Sequence, residues 1–117
     1  MSRDPRLYLE DMLESGNKVL RYTRGMTFEE FLANEMAFDA VLRNLEIIGE
    51  AAKNVSDEVR ARYPEVEWRR IAALRNVLAH AYFGLEAETL WDIVTNKVPV
   101  LVTQVEAILN AEGGASS

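Results

Sequence analysis

The amino-acid sequence predicts an all-α protein: an antiparallel bundle of four main helices plus one short helix. Three observations carry this. Apolar residues recur three, four and seven positions apart along most of the chain, the spacing of one helix face. Helix-starting residues stand just ahead of these stretches, and glycine or proline stands behind several of them. The β-branched run around Pro99 would make a lone strand with nothing to pair with.

The first helix is expected over residues 4 to 24. Asp4 is a good N-cap and Pro5 suits the first helical position. Leu7, Leu9, Met12, Leu13, Val19 and Leu20 supply its apolar face, and Gly25 is its stop. Thr27-Phe28-Glu29-Glu30 reads as a capping box that opens a second helix running to about Asn54. Phe31, Phe38, Leu42, Leu45, Ile48 and Ala52 lie on one face of it. Ser56-Asp57-Glu58 caps a short helix that ends at Tyr63-Pro64.

A further helix is expected from about Glu67 to Tyr82, with Trp68, Ile71, Leu74 and Leu78 turned to the core and Gly84 as its stop. The last helix should begin near Glu86 and reach about Ala111, with a kink or break at Pro99. The helical domain is expected to span residues 1–112, and the tail 113–117 to be disordered.

Composition narrows the function classes. A chain of 117 residues is one domain's worth, large enough for a modest core. It has no cysteine, which excludes a disulfide scaffold, a thiolate zinc site and a cysteine nucleophile. This fits a reducing, cytoplasmic setting. No leader is expected from Met1-Ser2-Arg3-Asp4-Pro5-Arg6, and the longest apolar run, Val98 to Val102, is far too short to span a membrane. The formal net charge of −6 argues against coating DNA or RNA non-specifically, so any RNA contact needs a local basic pocket.

Chemistry concentrates in one place. The single histidine, His80, lies in Leu74-Arg75-Asn76-Val77-Leu78-Ala79-His80-Ala81-Tyr82. Asn76 and His80 are four apart and share a helix face, and Arg75 and Tyr82 are seven apart and nearly eclipse. An imidazole can take the proton from a ribose 2′-hydroxyl and, once protonated, give one to the leaving oxygen. A guanidinium can hold the phosphate and stabilise the charge building on it. RNA brings its own nucleophile, so neither Ser nor Cys is needed. With one histidine per chain, simultaneous acid and base catalysis needs a second chain or a tyrosine. The competing reading of His80 is a structural histidine at the edge of the core. Glu46 with Glu50, Glu29 with Glu30, and Arg69 with Arg70 read as solvated helix charges.

The segment Arg75-Asn76-Val77-Leu78-Ala79-His80-Ala81-Tyr82 resembles the Arg-x4-His-x-Tyr motif of the HEPN superfamily, and specifically of HepT-type toxins. The likeness extends to Asn44-Leu45-Glu46-Ile47-Ile48-Gly49-Glu50-Ala51-Ala52-Lys53-Asn54, to Tyr63-Pro64-Glu65 with Trp68-Arg69, and to Leu90-Trp91-Asp92-Ile93-Val94, and covers roughly residues 4 to 109. The resemblance implies a homodimer whose Arg-x4-His faces meet in a cleft. It implies a metal-independent endoribonuclease without cofactor, the toxin of a two-component, type VII-like system. The implied partner is an MntA-like nucleotidyltransferase antitoxin, and the implied substrate is RNA, not DNA. Carried over, Arg75 and His80 are the catalytic pair, Asn76 is the polar position after the arginine, and Tyr82 is the tyrosine that receives AMP. The alternative is a non-catalytic helical module that binds a nucleotidyltransferase or positions its substrate.

Overall fold

The computed structural model describes residues 4–81 and 86–114, and all regular structure among them is helical. Helix α1 (Pro5–Thr23) starts as its cap dictates: the Asp4 carboxylate accepts from the Arg6 N–H at 2.9 Å. It is followed by Gly25 at φ +76°, a left-handed conformation that glycine adopts without strain. Leu9, Met12 and Val19 are buried as expected, whereas Leu7 is partly in solvent.

The expected second helix is in fact two. Thr27 forms the capping box, accepting from the Glu30 N–H at 3.1 Å while Glu30 accepts from the Thr27 N–H at 2.9 Å. Helix α2 (Phe28–Ala33) then stops at Asn34, whose side chain accepts from the Ala37 N–H at 3.0 Å and opens α3 (Glu35–Asn54). An asparagine side chain competes with the helix for backbone donors, so it serves better as a cap than as an interior residue. The Phe31 ring, fully buried in α2, stacks on Trp91 at 5.0 Å and tilts against Phe38 at 5.4 Å.

Helix α4 (Asp57–Arg62) is capped by Ser56. Its Arg60 guanidinium donates to the carbonyls of Ala52 and Lys53, both at 2.8 Å, and so satisfies the end of α3. Just beyond, Tyr63 and Arg62 both grip Glu112 near the C-terminal end of the chain. The tyrosine hydroxyl donates at 2.7 Å and the guanidinium at 2.7 Å. The hydroxyl first, and then the guanidinium, hold the Glu112 carboxyl below its ordinary range.

The stretch expected as one helix to Tyr82 is also stepped. Helix α5 (Trp68–Ala72) gives way at Ala73 to α6 (Leu74–Ala81). Helix α3 meets this step across Gly49. A Cβ there would lie 3.2 Å from the Ile71 carbonyl oxygen and 3.5 Å from the Leu74 Cβ. The missing side chain lets α3 sit close against the joint between α5 and α6. Tyr82 and Gly84 lie outside the described residues.

The kink expected at Pro99 takes the form of a π turn (Ile93–Lys97) between α7 (Ala87–Asp92) and α8 (Val98–Gly114). The Val98 N–H reaches back five residues to the Ile93 carbonyl. Proline has no N–H and its ring crowds the preceding turn, so widening that turn by one residue lets the axis continue. Helix α8 carries through Gly113 and Gly114, and 115–117 lie outside the described residues.

Helix α1 packs on α3 and α8, and α3 packs in turn on α5 and α6. Met12, Val19, Phe31, Leu42, Leu45, Ile48, Leu90 and Ile108 fill the space between them. Counted as rods, α1, α2–α3, α5–α6 and α7–α8 are the four main helices, and α4 is the short one.

Candidate active site

Helix α6 has two unlike faces. Leu74, Leu78 and Ala81 are buried against α3 and its neighbours, while Arg75, Asn76 and His80 are exposed. The spacing dictates this split: residues four apart share a face, and the apolar set claims the inward one. Arg75 has no hydrogen-bond or ion-pair partner among the described residues. That leaves its guanidinium fork open to an incoming anion.

His80 is 60% exposed, and its Nδ1 lies 3.6 Å from Glu86 Oε1 at the approach to α7. At that distance the two groups are near enough for a charge contact but not hydrogen-bonded, so both ring nitrogens remain open to a ligand. Sequence reasoning passed over Glu86, and its position six residues after His80 was the one available signal.

Arg75 borders a cleft of about 720 Å³ between α1, α3 and α6. Tyr8, Asp11, Arg43, Glu46 and Glu50 line it with Arg75, and neither Asn76 nor His80 does. The two glutamates expected as solvated helix charges therefore face the same space as the candidate arginine. Glu46 is paired with Arg43 at 2.7 Å. Five residues along a helix turn through roughly 140° net of a full circle, so one chain's Arg75 and His80 leave α6 in different directions. The structure thus puts Arg75, Asn76 and His80 on the exposed side of one short helix. Of the two candidate catalytic residues, only Arg75 borders the cleft. Tyr82 lies outside the described residues.

Among the described residues, no group of three or more His, Asp or Glu side chains is placed to hold a metal ion. No helix among them is long and apolar enough to cross a membrane.

The all-α bundle is HEPN-like, the class to which the matching family model belongs. Within that class, the model of the ribonuclease HepT-like family matches residues 12–108, and the chain belongs to this family of ribonucleases. It is 44% identical over 107 residues to "Putative RNase MJ0127" of Methanocaldococcus jannaschii, covering 92% of this chain and 88% of that one. It is 42% identical over 106 residues to "Putative RNase MJ1380" of the same organism, covering 91% and 97%. It is 40% identical over 108 residues to "Probable ribonuclease HepT" of Thermococcus cleftensis, covering 92% and 98%. No solved structure gives a significant match.

Proposed function

We propose that this chain is a metal-independent endoribonuclease, the toxin of a two-component toxin–antitoxin system, and that Arg75 and His80 carry its chemistry. The observation that supports this most is an unpartnered, exposed Arg75 and the lone, exposed His80 on one short helix of a HepT-like ribonuclease. A purely structural histidine would be expected on the buried face of α6.

In this reading His80 Nε2 takes the proton from a ribose 2′-hydroxyl. The freed oxygen attacks the adjacent phosphorus, and the bond to the 5′-oxygen of the next nucleotide breaks. That oxygen leaves with a proton, and the products are a 2′,3′-cyclic phosphate and a 5′-hydroxyl. The Arg75 fork holds the non-bridging oxygens as their charge builds. Asn76, exposed one residue on, is a further donor for the phosphate.

Because Arg75 and His80 of one chain diverge along α6, and because each chain has a single histidine for the acid and base steps, a homodimer with two facing α6 helices completes the site. Tyr82, directly after α6, is the acceptor of AMP from an MntA-like nucleotidyltransferase antitoxin. The added nucleotide brings bulk and negative charge two residues after His80 in the chain and so opposes RNA phosphate.

The test is growth after induced expression without any partner gene, with RNA ends analysed in parallel. Wild type is expected to arrest growth and leave cyclic-phosphate ends. His80→Ala and Arg75→Ala, soluble and folded, are expected to do neither, with cleavage down on the order of 10²-fold or more. Equal growth of all three would overturn the catalytic reading and favour a non-catalytic module that docks on the nucleotidyltransferase.

A further inference from the structure

On another side of α5 from its packing against α3 lies a second, smaller groove. It is lined by Arg60, Arg69 and Arg70 together with Val66, Glu67 and Trp68. Arg69 and Arg70 are exposed, and Arg69 has no hydrogen-bond or ion-pair partner among the described residues. Glu67 is approached from two sides at once, by Arg70 at 3.1 Å and by Lys97 of the π turn at 3.7 Å. Two cations thus share the Glu67 carboxylate, and Arg60 and Arg69 line the same groove without pairing to it.

Local composition inverts the global one. The chain as a whole carries a net charge of −6, which repels a polyanion at long range. A groove with a surplus of guanidinium groups is where such a chain can still hold phosphate. Arginine suits that task because its planar fork meets phosphate oxygens bidentately. Three of the four cations are already partly engaged: Arg60 caps α3 through its Nη2, and Arg70 and Lys97 share Glu67. Arg69 is the open one. Trp68 is buried and its indole N–H is taken by the Tyr63 carbonyl, so the groove offers charge without a stacking platform. Such a surface reads the backbone and not the bases.

The groove also stands close to α6 in the chain. Arg69 and Arg70 precede Arg75 by six and five residues, across the step at Ala73. We propose that the groove walled by Arg69, Arg70 and Arg60 is an RNA-phosphate subsite, which holds the substrate strand beyond the scissile bond, without sequence preference. It rests on the ribonuclease reading of α6 and adds to it where the rest of the strand lies. It also resolves how an acidic protein retains RNA. The substrate must be long enough to reach from Arg75 into the groove, so affinity grows with length.

The test uses the full chain carrying Arg69→Ala and Arg70→Ala together, with Arg69→Lys as the conservative control. Binding of a single-stranded 20-nucleotide RNA is measured at several salt concentrations on a His80→Ala background, where the strand stays intact. The slope of log affinity against log salt should shrink by roughly 1.4, about 0.7 for each phosphate that the variant no longer neutralises. In the active chain, kcat/KM on the same RNA should fall roughly tenfold, through KM, while that on a dinucleotide too short to reach the groove falls less than twofold. Arg69→Lys should recover part of the salt slope.

An unchanged slope and an unchanged KM overturn the proposal. So does an unchanged slope with loss of binding to the nucleotidyltransferase, which would make the groove a protein interface. If the parent chain cuts no RNA, the ribonuclease reading fails, and the binding arm still decides the groove.

Discussion

Two clusters in this molecule are built from nearly the same parts, and they are opposites. One joins Arg62, Tyr63 and Glu112. The other sets Arg75, Asn76 and His80 on α6, with Glu86 near. In the first, each group has its partner: both oxygens of Glu112 are taken, at 2.7 Å each, by a guanidinium and a phenol. In the second, Arg75 has no partner among the described residues, and His80 has only Glu86 at 3.6 Å. The closed cluster ties the end of α4 to α8. An open one leaves charge and hydrogen-bonding capacity unspent for a ligand. The residue types are alike, and the difference lies in whether the fold brings a complement to each.

Substitutions put this comparison to the test. Arg75→Lys keeps the charge but loses the planar fork. It is expected to lower RNA cleavage by about tenfold or more while leaving the melting temperature unchanged, because Arg75 holds nothing in place. Activity assays alongside thermal melts would show it, and a lowered melting temperature would mean that α6 is as closed as the Glu112 cluster.

Phe31→Ala should do the reverse. Removing a fully buried ring between Phe38 and Trp91 is expected to cost about 3–5 kcal/mol of stability in denaturant unfolding. The activity of the fraction that remains folded should not change. A smaller and more specific loss is expected for Gly49→Ala, whose Cβ would press on the Ile71 carbonyl oxygen at 3.2 Å and shift the step that starts α6. This one should reduce activity as well as stability, which a substitution confined to the core would not.

The smallest effect belongs to the closed cluster itself. Glu112 has a folded-state pKa held below its unfolded value, so its contribution is present above the usual carboxylate range and is lost as pH falls through the depressed value. Wild type should therefore lose melting temperature more steeply than Glu112→Gln as pH falls through and below the ordinary carboxylate range. Tyr63 is shifted up by the same bond, so the tie weakens again in strong alkali. RNA cleavage at neutral pH should be insensitive to Glu112→Gln, since the tie lies outside the site.

Much of this was legible along the chain. The Asp4-Pro5 start, the Thr27–Glu30 capping box, the Ser56 cap and the stop before Pro64 all arise between residues no more than three apart, and they form as local chemistry requires. The breaks at Asn34 and Ala73 were not anticipated. Asn34 carried a readable signal, an N-cap residue followed by Glu35, but it stood inside an unbroken apolar period that pointed the other way. Ala73 carried none, and the step there lies against Gly49 on another helix. Of the candidate site, the motif on α6 was legible because its residues fall within two turns. The groove of Arg60, Arg69 and Arg70 was not, since Arg69 and Arg70 look like any exposed pair until the fold sets Arg60 and Lys97 beside them.

By itself, then, the sequence determined the helical class, the caps, the inward faces of the helices and the family, because capping and periodicity act between near neighbours. The tertiary structure alone decided which charges are spent and which are free. Arg62 finds Glu112 across a separation of 50 residues, and Arg75 and Arg69 find no partner among the described residues. Such pairings depend on distance in space, and spacing along the chain carries no record of them.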